Sequence, residues 1–186
     1  MTAADRKNLG TPGPADQPAG KNPSGQKSPL PFCGDFDIRI GRDGTWYYQG
    51  TPIGRKPLVK LFASVLRCEA DGTFWLVTPA ERGRIVVDDA PFVAVECESR
   101  GEGRDQVLAF RTNLDEWVEA GPERPLRVVE GAGEPSPYVL VRPGLEALIA
   151  RPVYYRLAEL AVPDPKDPRS LGLWSQGHFF RLGSAR

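Results

Sequence analysis

Apolar and polar positions alternate through Phe36–Ile40 and again through Thr45–Tyr48, with Ile38, Ile40, Trp46 and Tyr48 on the apolar phase. Arg42-Asp43-Gly44 between them has turn chemistry, so the stretch predicts a β-hairpin. The period then changes. After Pro57, which suits a first helical turn, Leu58, Leu61, Phe62, Val65 and Leu66 recur on one helical face. Asp71-Gly72 punctuates, and Thr73–Thr78 reads as a strand. Arg84–Val87, Phe92–Cys97, Gln106–Phe110, Glu116–Val118 and Leu126–Val129 follow as short strands of a meander, separated by Asp-Asp, Gly-x-Gly and Gly-Pro. Pro143–Ile149 is read as a helical turn and Val162–Ser170, with three prolines, as a loop. A last hairpin closes around Gln176-Gly177.

The pattern occurs twice. About ninety residues after the first hairpin, Leu126–Val129 and Tyr138–Val141 lead to Arg151-Pro152, a helix carrying Val153, Leu157 and Leu160, and the strand Leu171–Trp174. A duplicated hairpin–helix–strand unit predicts an α+β fold of two small lobes, mostly antiparallel sheet, with each helix covering a sheet face. The lobes are placed at residues 32–97 and 98–186. Residues 1–31 hold six prolines, four glycines and no aromatic residue, and are read as a disordered tail. Seams between lobes are common ligand sites.

Charge removes one class of partner. The 24 basic and 24 acidic side chains cancel. Residues 32–97 carry 8 Lys/Arg against 9 Asp/Glu, and residues 98–186 carry 12 against 13. A nucleic-acid binder shows a basic excess or stripe, and neither half has one. Three cysteines, Cys33, Cys68 and Cys97, fit no metal or disulfide spacing and read as reduced packing thiols. No apolar run reaches the roughly 18 residues that span a bilayer, and no signal-peptide core is seen. The expectation is a cytoplasmic protein without membrane contact.

Catalytic motifs are missing. His178 is the only histidine and lies in a turn, no G-x-S-x-G elbow occurs, and neither a metal nor a cofactor is expected. The phosphate-loop look-alikes Gly20-Lys21 and Gly25-Gln26-Lys27-Ser28 lack the required spacing. The positive signal is basic residues at helix starts: Arg55 and Lys56 before Pro57, and Arg151 before Pro152. Helix N-termini with an arginine beside them suit an anionic ligand; the competing reading is a salt bridge to a nearby acid. The connection Thr78-Pro79-Ala80-Glu81-Arg82-Gly83-Arg84 gathers hydroxyl, carboxylate and guanidinium groups. Asp88-Asp89 reads as a turn, and Thr112-Asn113 as an Asx-type joint. Trp174 either packs or stacks on a ligand ring.

These residues carry a resemblance. Thr78–Arg84 with Asp88-Asp89-Ala90-Pro91-Phe92, Thr112-Asn113, Ala120-Gly121-Pro122, Pro125–Val128 and Gly172–Gly177 with Phe179-Phe180 resemble a bacterial family known as domain of unknown function 1285. The similarity runs from about Pro31 to Gly183. It implies a duplicated α+β fold whose second lobe is superficially like a pleckstrin-homology domain. It further implies a small, nucleotide-like ligand between the lobes and a signalling role, with no established enzymatic activity. The positions matching the family are Arg55, the Thr78–Arg84 loop, Asp88-Asp89 and Thr112-Asn113. The combined expectation is a small-ligand binder holding an anionic, nucleotide-like molecule at the inter-lobe cleft through Arg55, Lys56, Thr78, Glu81, Arg82, Arg84, Asp88, Asp89, Thr112, Asn113, Arg151 and Trp174. The alternative is a protein-interaction module, with an unidentified protein partner docking by strand addition. An enzyme using Asp88, Asp89 or Glu81 as acid or base ranks below both. One asymmetric site is expected, built mainly from the first unit.

Overall fold

A computed structural model of the chain describes residues 32–131 and 134–184, with Phe32 and Cys33 described by backbone only. The proposed tail, residues 1–31, lies outside the described residues.

The first unit runs β1 (Phe32–Ile40), β2 (Trp46–Tyr48), β3 (Thr51–Pro52), α1 (Lys56–Ser64), β4 (Leu66–Cys68), β5 (Phe74–Val77) and β6 (Arg82–Val87). These strands form one sheet in the order β3-β2-β1-β6-β5-β4. All its pairs are antiparallel except the central β1–β6, where Arg39 lies beside Val86 and Ile40 beside Val87. The alternation read from sequence is real: Ile38, Ile40 and Ile85 are buried while Arg39, Arg84 and Val86 face solvent. The nine-residue α1 is too short to be stable alone, so its packing holds it. Val59 and Ala63, one turn apart, face the sheet, and Phe62 stacks on buried Trp46 at 6.2 Å between ring centres.

After β6 come β7 (Phe92–Arg100), a 3-10 turn η1 (Gly103–Asp105), β8 (Val107–Thr112) and β9 (Trp117–Glu119). The second unit then follows: β10 (Leu126–Val129), β11 (Ser136–Arg142), β12 (Leu145–Ile149), α2 (Arg151–Glu159), β13 (Val162–Asp164), β14 (Asp167–Ser175) and β15 (His178–Ser184). It repeats the element order of the first, three strands, a helix and three strands. β10 lies against β15 as β1 lies beside β6. The difference is that β12 pairs on its free side with β7, giving a second six-stranded sheet, β10-β11-β12-β7-β8-β9, and leaving β13-β14-β15 as a third sheet.

The fold is therefore α+β and two-lobed, as expected, with two corrections of detail. Pro143–Ile149 is not helical: Gly144, at φ 72°, turns the chain, and Leu145, Ala147 and Ile149 are buried on the period of a strand. Val162–Ser170 is not a loop, because β13 and the start of β14 pair across it. The two large sheets part at residues 88–91, so a division at 97/98 falls inside β7, a strand of the second sheet. Among the described residues, no helix is long and apolar enough to cross a membrane.

Candidate ligand-binding sites

The seam between the units is packed. Gly44, at φ 79°, turns the β1–β2 hairpin so closely onto β8 that an added Cβ would sit 2.5 Å from Asn113 Nδ2. Asn113 uses both ends of its amide there. Its oxygen accepts from Val93 N at 3.1 Å, and its nitrogen donates to Gly44 O at 3.2 Å. Arg42, in the same hairpin, pairs with Asp89 at 3.0 Å and donates to Ser136 Oγ at 3.2 Å. Arg142 reaches from β11 to the carbonyl of Ala63 at 3.1 Å and lies 5.2 Å over the Phe92 ring. A cation at a helix C-terminus meets the negative end of its dipole, so Arg142 ties α1 to the second lobe.

The residues singled out from sequence do not meet at this seam as one anion site. Lys56 donates to Asp115 at 2.8 Å. Arg82 lies 4.2 Å over the Trp75 ring and pairs with Glu69 at 3.5 Å. Arg84 makes a two-bond fork to Asp35, at 2.8 and 2.9 Å, and Asp88 receives a similar fork from Arg39, at 2.9 and 2.5 Å. These guanidinium groups hold the Asp35 and Asp88 carboxyls below their usual range through hydrogen bonds first, then charge. Asp89 accepts from Tyr138 Oη at 2.8 Å. Thr112 is buried, its hydroxyl accepting from Leu114 N and Glu116 N in the β8–β9 turn. Arg151 pairs with Glu134. Arg55 caps α1 by backbone alone and, among the described residues, has no ion pair. The salt-bridge reading therefore applies to most of the arginines, and the partners come from distant strands.

Thr78 and Glu81 do line a cavity. It measures about 490 Å³ and lies within the first unit, between β1, the β2–β3 turn, α1 and the β5–β6 loop. Its floor is apolar, from Phe36, Ile38, Phe62, Val65 and Leu76, and Tyr48 and Gln49 stand at the side. The rim is acidic: Asp35, Asp37 and Glu81. Thr78 shapes it by closing its own loop, the hydroxyl accepting from Ala80 N at 3.3 Å and Glu81 N at 3.1 Å. Gly83 is needed because Phe36 lies flat against it; a Cβ there would meet the ring. Sequence reasoning missed Asp37, Tyr48 and Gln49. The signal for the last was Gln49-Gly50, a turn with both residues at positive φ, as in Gln176-Gly177.

A charge cluster ties α1 to the β8–β9 turn. Asp115, at φ 64°, accepts from Lys56 and Lys60 at 2.8 Å each and from Arg111 at 3.3 Å. The lysine hydrogen bonds hold its carboxyl well below the usual carboxylate range. A carboxyl depressed in the folded state adds stability above its unfolded value, near 4, and loses it as pH falls through the folded value. In Asp115→Asn, which tolerates the same backbone angle, stability is expected to fall less steeply below about pH 4. Acid titrations followed by circular dichroism check this, and 1 M salt should shrink the difference between parent and variant. Among the described residues, no group of three or more His, Cys, Asp or Glu is placed to hold a metal ion. The two described cysteines are free, and burial pushes the Cys97 thiol up to about 12.

Comparison with known proteins agrees with the two-part architecture. Residues 23–90 match the N-terminal domain, and residues 91–182 the C-terminal domain, of a family described as a protein of unknown function, DUF1285. The matches meet in the connection between β6 and β7. A search of curated proteins returns no match. The chain is similar to the crystal structure of a DUF1285 family protein from Silicibacter pomeroyi DSS-3, at 51% identity and TM-score 0.79, covering 84% of this chain and 85% of that one. It is also similar to a DUF1285 family protein from Shewanella baltica OS155, at 28% identity and TM-score 0.54, covering 67% of this chain and 91% of that one. With both of its parts matched in order and half its residues shared with a solved member over most of each chain, this protein belongs to the DUF1285 family.

Proposed function

We propose that the chain is a small-molecule-binding protein whose ligand occupies the first-unit cavity. The sensing role implied by the family resemblance would rest on that occupancy. The observation that carries the reading is the cavity itself: about 490 Å³, apolar below and polar at the rim. Ligand sites of roughly 300–1,000 Å³ with apolar walls and a few placed polar groups are the general pattern. Its charge changes the ligand expected from sequence. The rim places Asp37, which has no ion pair among the described residues, beside Glu81 and the Asp35–Arg84 pair, while Arg82 is held by Glu69. A phosphate would meet repulsion there. The fitting ligand has an apolar or aromatic body, for the Phe36–Phe62 floor, and an ammonium or amide group for the rim. The reading does not depend on the pleckstrin-homology likeness of the second lobe.

A thermal-shift panel of aromatic amines and amides, run beside mono-, di- and cyclic nucleotides, tests this. A ligand at a hundred times its dissociation constant should add about 2.7 kcal/mol of stability. Amines are expected to stabilise and nucleotides not to do so at this site. Gly83→Ala supplies the control: its new methyl group would overlap the Phe36 ring, so a ring that forms part of the cavity floor must shift. The variant should remain folded and lose the shift. Stabilisation by nucleotides alone, or an undiminished amine shift in Gly83→Ala, would overturn the assignment.

A further inference from the structure

We infer that a second, oppositely charged concavity, in the three-stranded sheet of the second unit, binds a small anion carried on a planar ring, a phosphate monoester or a carboxylate. It measures about 380 Å³ and lies between η1, the β13–β14 turn and the β14–β15 turn. Arg104, Lys166 and His178 line it, with Trp174 and Phe179 as its aromatic wall and Asp164 as its one carboxylate.

Three observations carry this. The first is unspent charge. Arg39, Arg84, Arg111 and Arg127 each hold a carboxylate, whereas Arg104, Lys166 and His178 have none among the described residues. Asp164 makes no salt bridge to any of them among the described residues; its Oδ1 accepts from the Lys166 backbone N–H at 2.8 Å and closes the turn, so it sets one negative charge against the Arg104 and Lys166 cations. The second is the way Arg104 is presented. Its guanidinium lies 4.7 Å over the Trp174 ring, and Phe179 meets that indole edge-on at 5.2 Å. A guanidinium held over an indole can still present its N–H groups as a two-bond fork to an oxyanion. The third is rigidity. Gln176 N donates to Gln106 O at 2.9 Å, and Gly177 N to Arg104 O at 3.1 Å, so the hairpin tip is fastened to η1. Behind it, buried Ser175 Oγ accepts from Leu108 N at 2.9 Å and donates to Ala120 O at 2.7 Å, anchoring β14 to the second sheet. Walls held in this way need little ordering when a ligand arrives. Ring and anion follow from the two kinds of wall: the aromatic side chains Trp174 and Phe179, and the charged Arg104 and Lys166 with the imidazole of His178.

His178 is the only histidine, so its imidazole C2 proton is a single NMR reporter within the site. The full-length, untagged chain is titrated at fixed pH with phenyl phosphate, benzoate and inorganic phosphate. Phenyl phosphate or benzoate should move the resonance saturably, the tighter of the two identifying the anion. Inorganic phosphate should bind more weakly, since it lacks the ring. The Arg104→Ala/Lys166→Ala variant removes two exposed side chains without ion pairs among the described residues and should fold normally. It should weaken binding on the order of tenfold or more, as loss of charged hydrogen bonds does. Arg55→Ala, which removes another unpaired arginine outside this concavity, should leave binding unchanged. A linear, non-saturating response, equal affinity in the double variant, or equal affinity for inorganic phosphate and phenyl phosphate would overturn the inference.

Discussion

Replacing Trp46 by alanine is expected to lower the free energy of unfolding by about 3–5 kcal/mol, the usual cost of deleting a buried aromatic side chain. Against a total stability of roughly 5–15 kcal/mol, this is a large share. Trp46 is 1% exposed, sits opposite Ile40 across the β1–β2 pair, and stacks on Phe62 of α1. It is thus one of the contacts through which the sheet holds the helix, with buried Val59 and Ala63. Phe62 also lines the first-unit cavity, so the variant should lose ligand binding as well as stability. Trp46→Phe separates the two effects. It keeps a ring against Phe62 and removes an indole N–H that has no partner among the described residues. Its cost should stay below about 1.5 kcal/mol, near that of other conservative core exchanges. Urea unfolding of the three chains gives both numbers, and a Trp46→Ala cost under about 1 kcal/mol would show that α1 is held by other contacts.

Gly172→Ala is expected to be nearly as damaging, by a different mechanism. Gly172 lies beside an irregularity in the β14–β15 pairing, opposite Arg181. A Cβ there would collide with the backbone carbonyl of Phe180 and stand 2.6 Å from the Phe179 ring. A flexible side chain could swing aside, but a paired strand cannot move without parting from its neighbour. The cost should reach the upper end of overpacking, about 3 kcal/mol. For a chain of this size, that is a drop on the order of 10 °C in melting temperature. Gly183→Ala in the same hairpin is the control: nothing lies within 4 Å of its added Cβ. Its effect should be within about 0.5 kcal/mol, as for other surface changes. A melting temperature unchanged in Gly172→Ala would mean that the two strands are not paired as described.

Much of the first unit was legible from sequence because its signals are local. Period-two strands, a proline-led helix and an Asp-Gly turn each declare themselves within a few residues, and their recurrence declared the duplication. The second unit was harder to read where local cues conflict. Pro143-Gly144 looked like a helix start because proline suits both a first helical turn and a strand-reversing turn. Only the burial of Leu145, Ala147 and Ile149 beside β7 decides between them. Of the residues expected at one asymmetric site built mainly from the first unit, Thr78 and Glu81 line the cavity there. Of the arginines that suggested an anion, Arg82, Arg84 and Arg151 are held by acids, whereas Arg55 has no ion pair among the described residues.

The chain's near-equal charges in each half, its two-fold repeat of strand and helix periods, and the want of any catalytic motif are properties of composition and spacing. They could be established without coordinates. Which acid holds which arginine could not. Arg39 with Asp88, Arg84 with Asp35 and Tyr138 with Asp89 are each 49 residues apart in sequence. The first two meet because β1 pairs in parallel with β6, and Tyr138 reaches Asp89 because β11 pairs with β12 and β12 with β7, the strand that follows Asp89. Local pattern determines which face of an element is apolar. Whether a cation on the other face is neutralised or left for a ligand depends on what the fold places opposite it. That is why Arg84 is paired with Asp35 while Arg104, lying over Trp174, has no ion pair among the described residues.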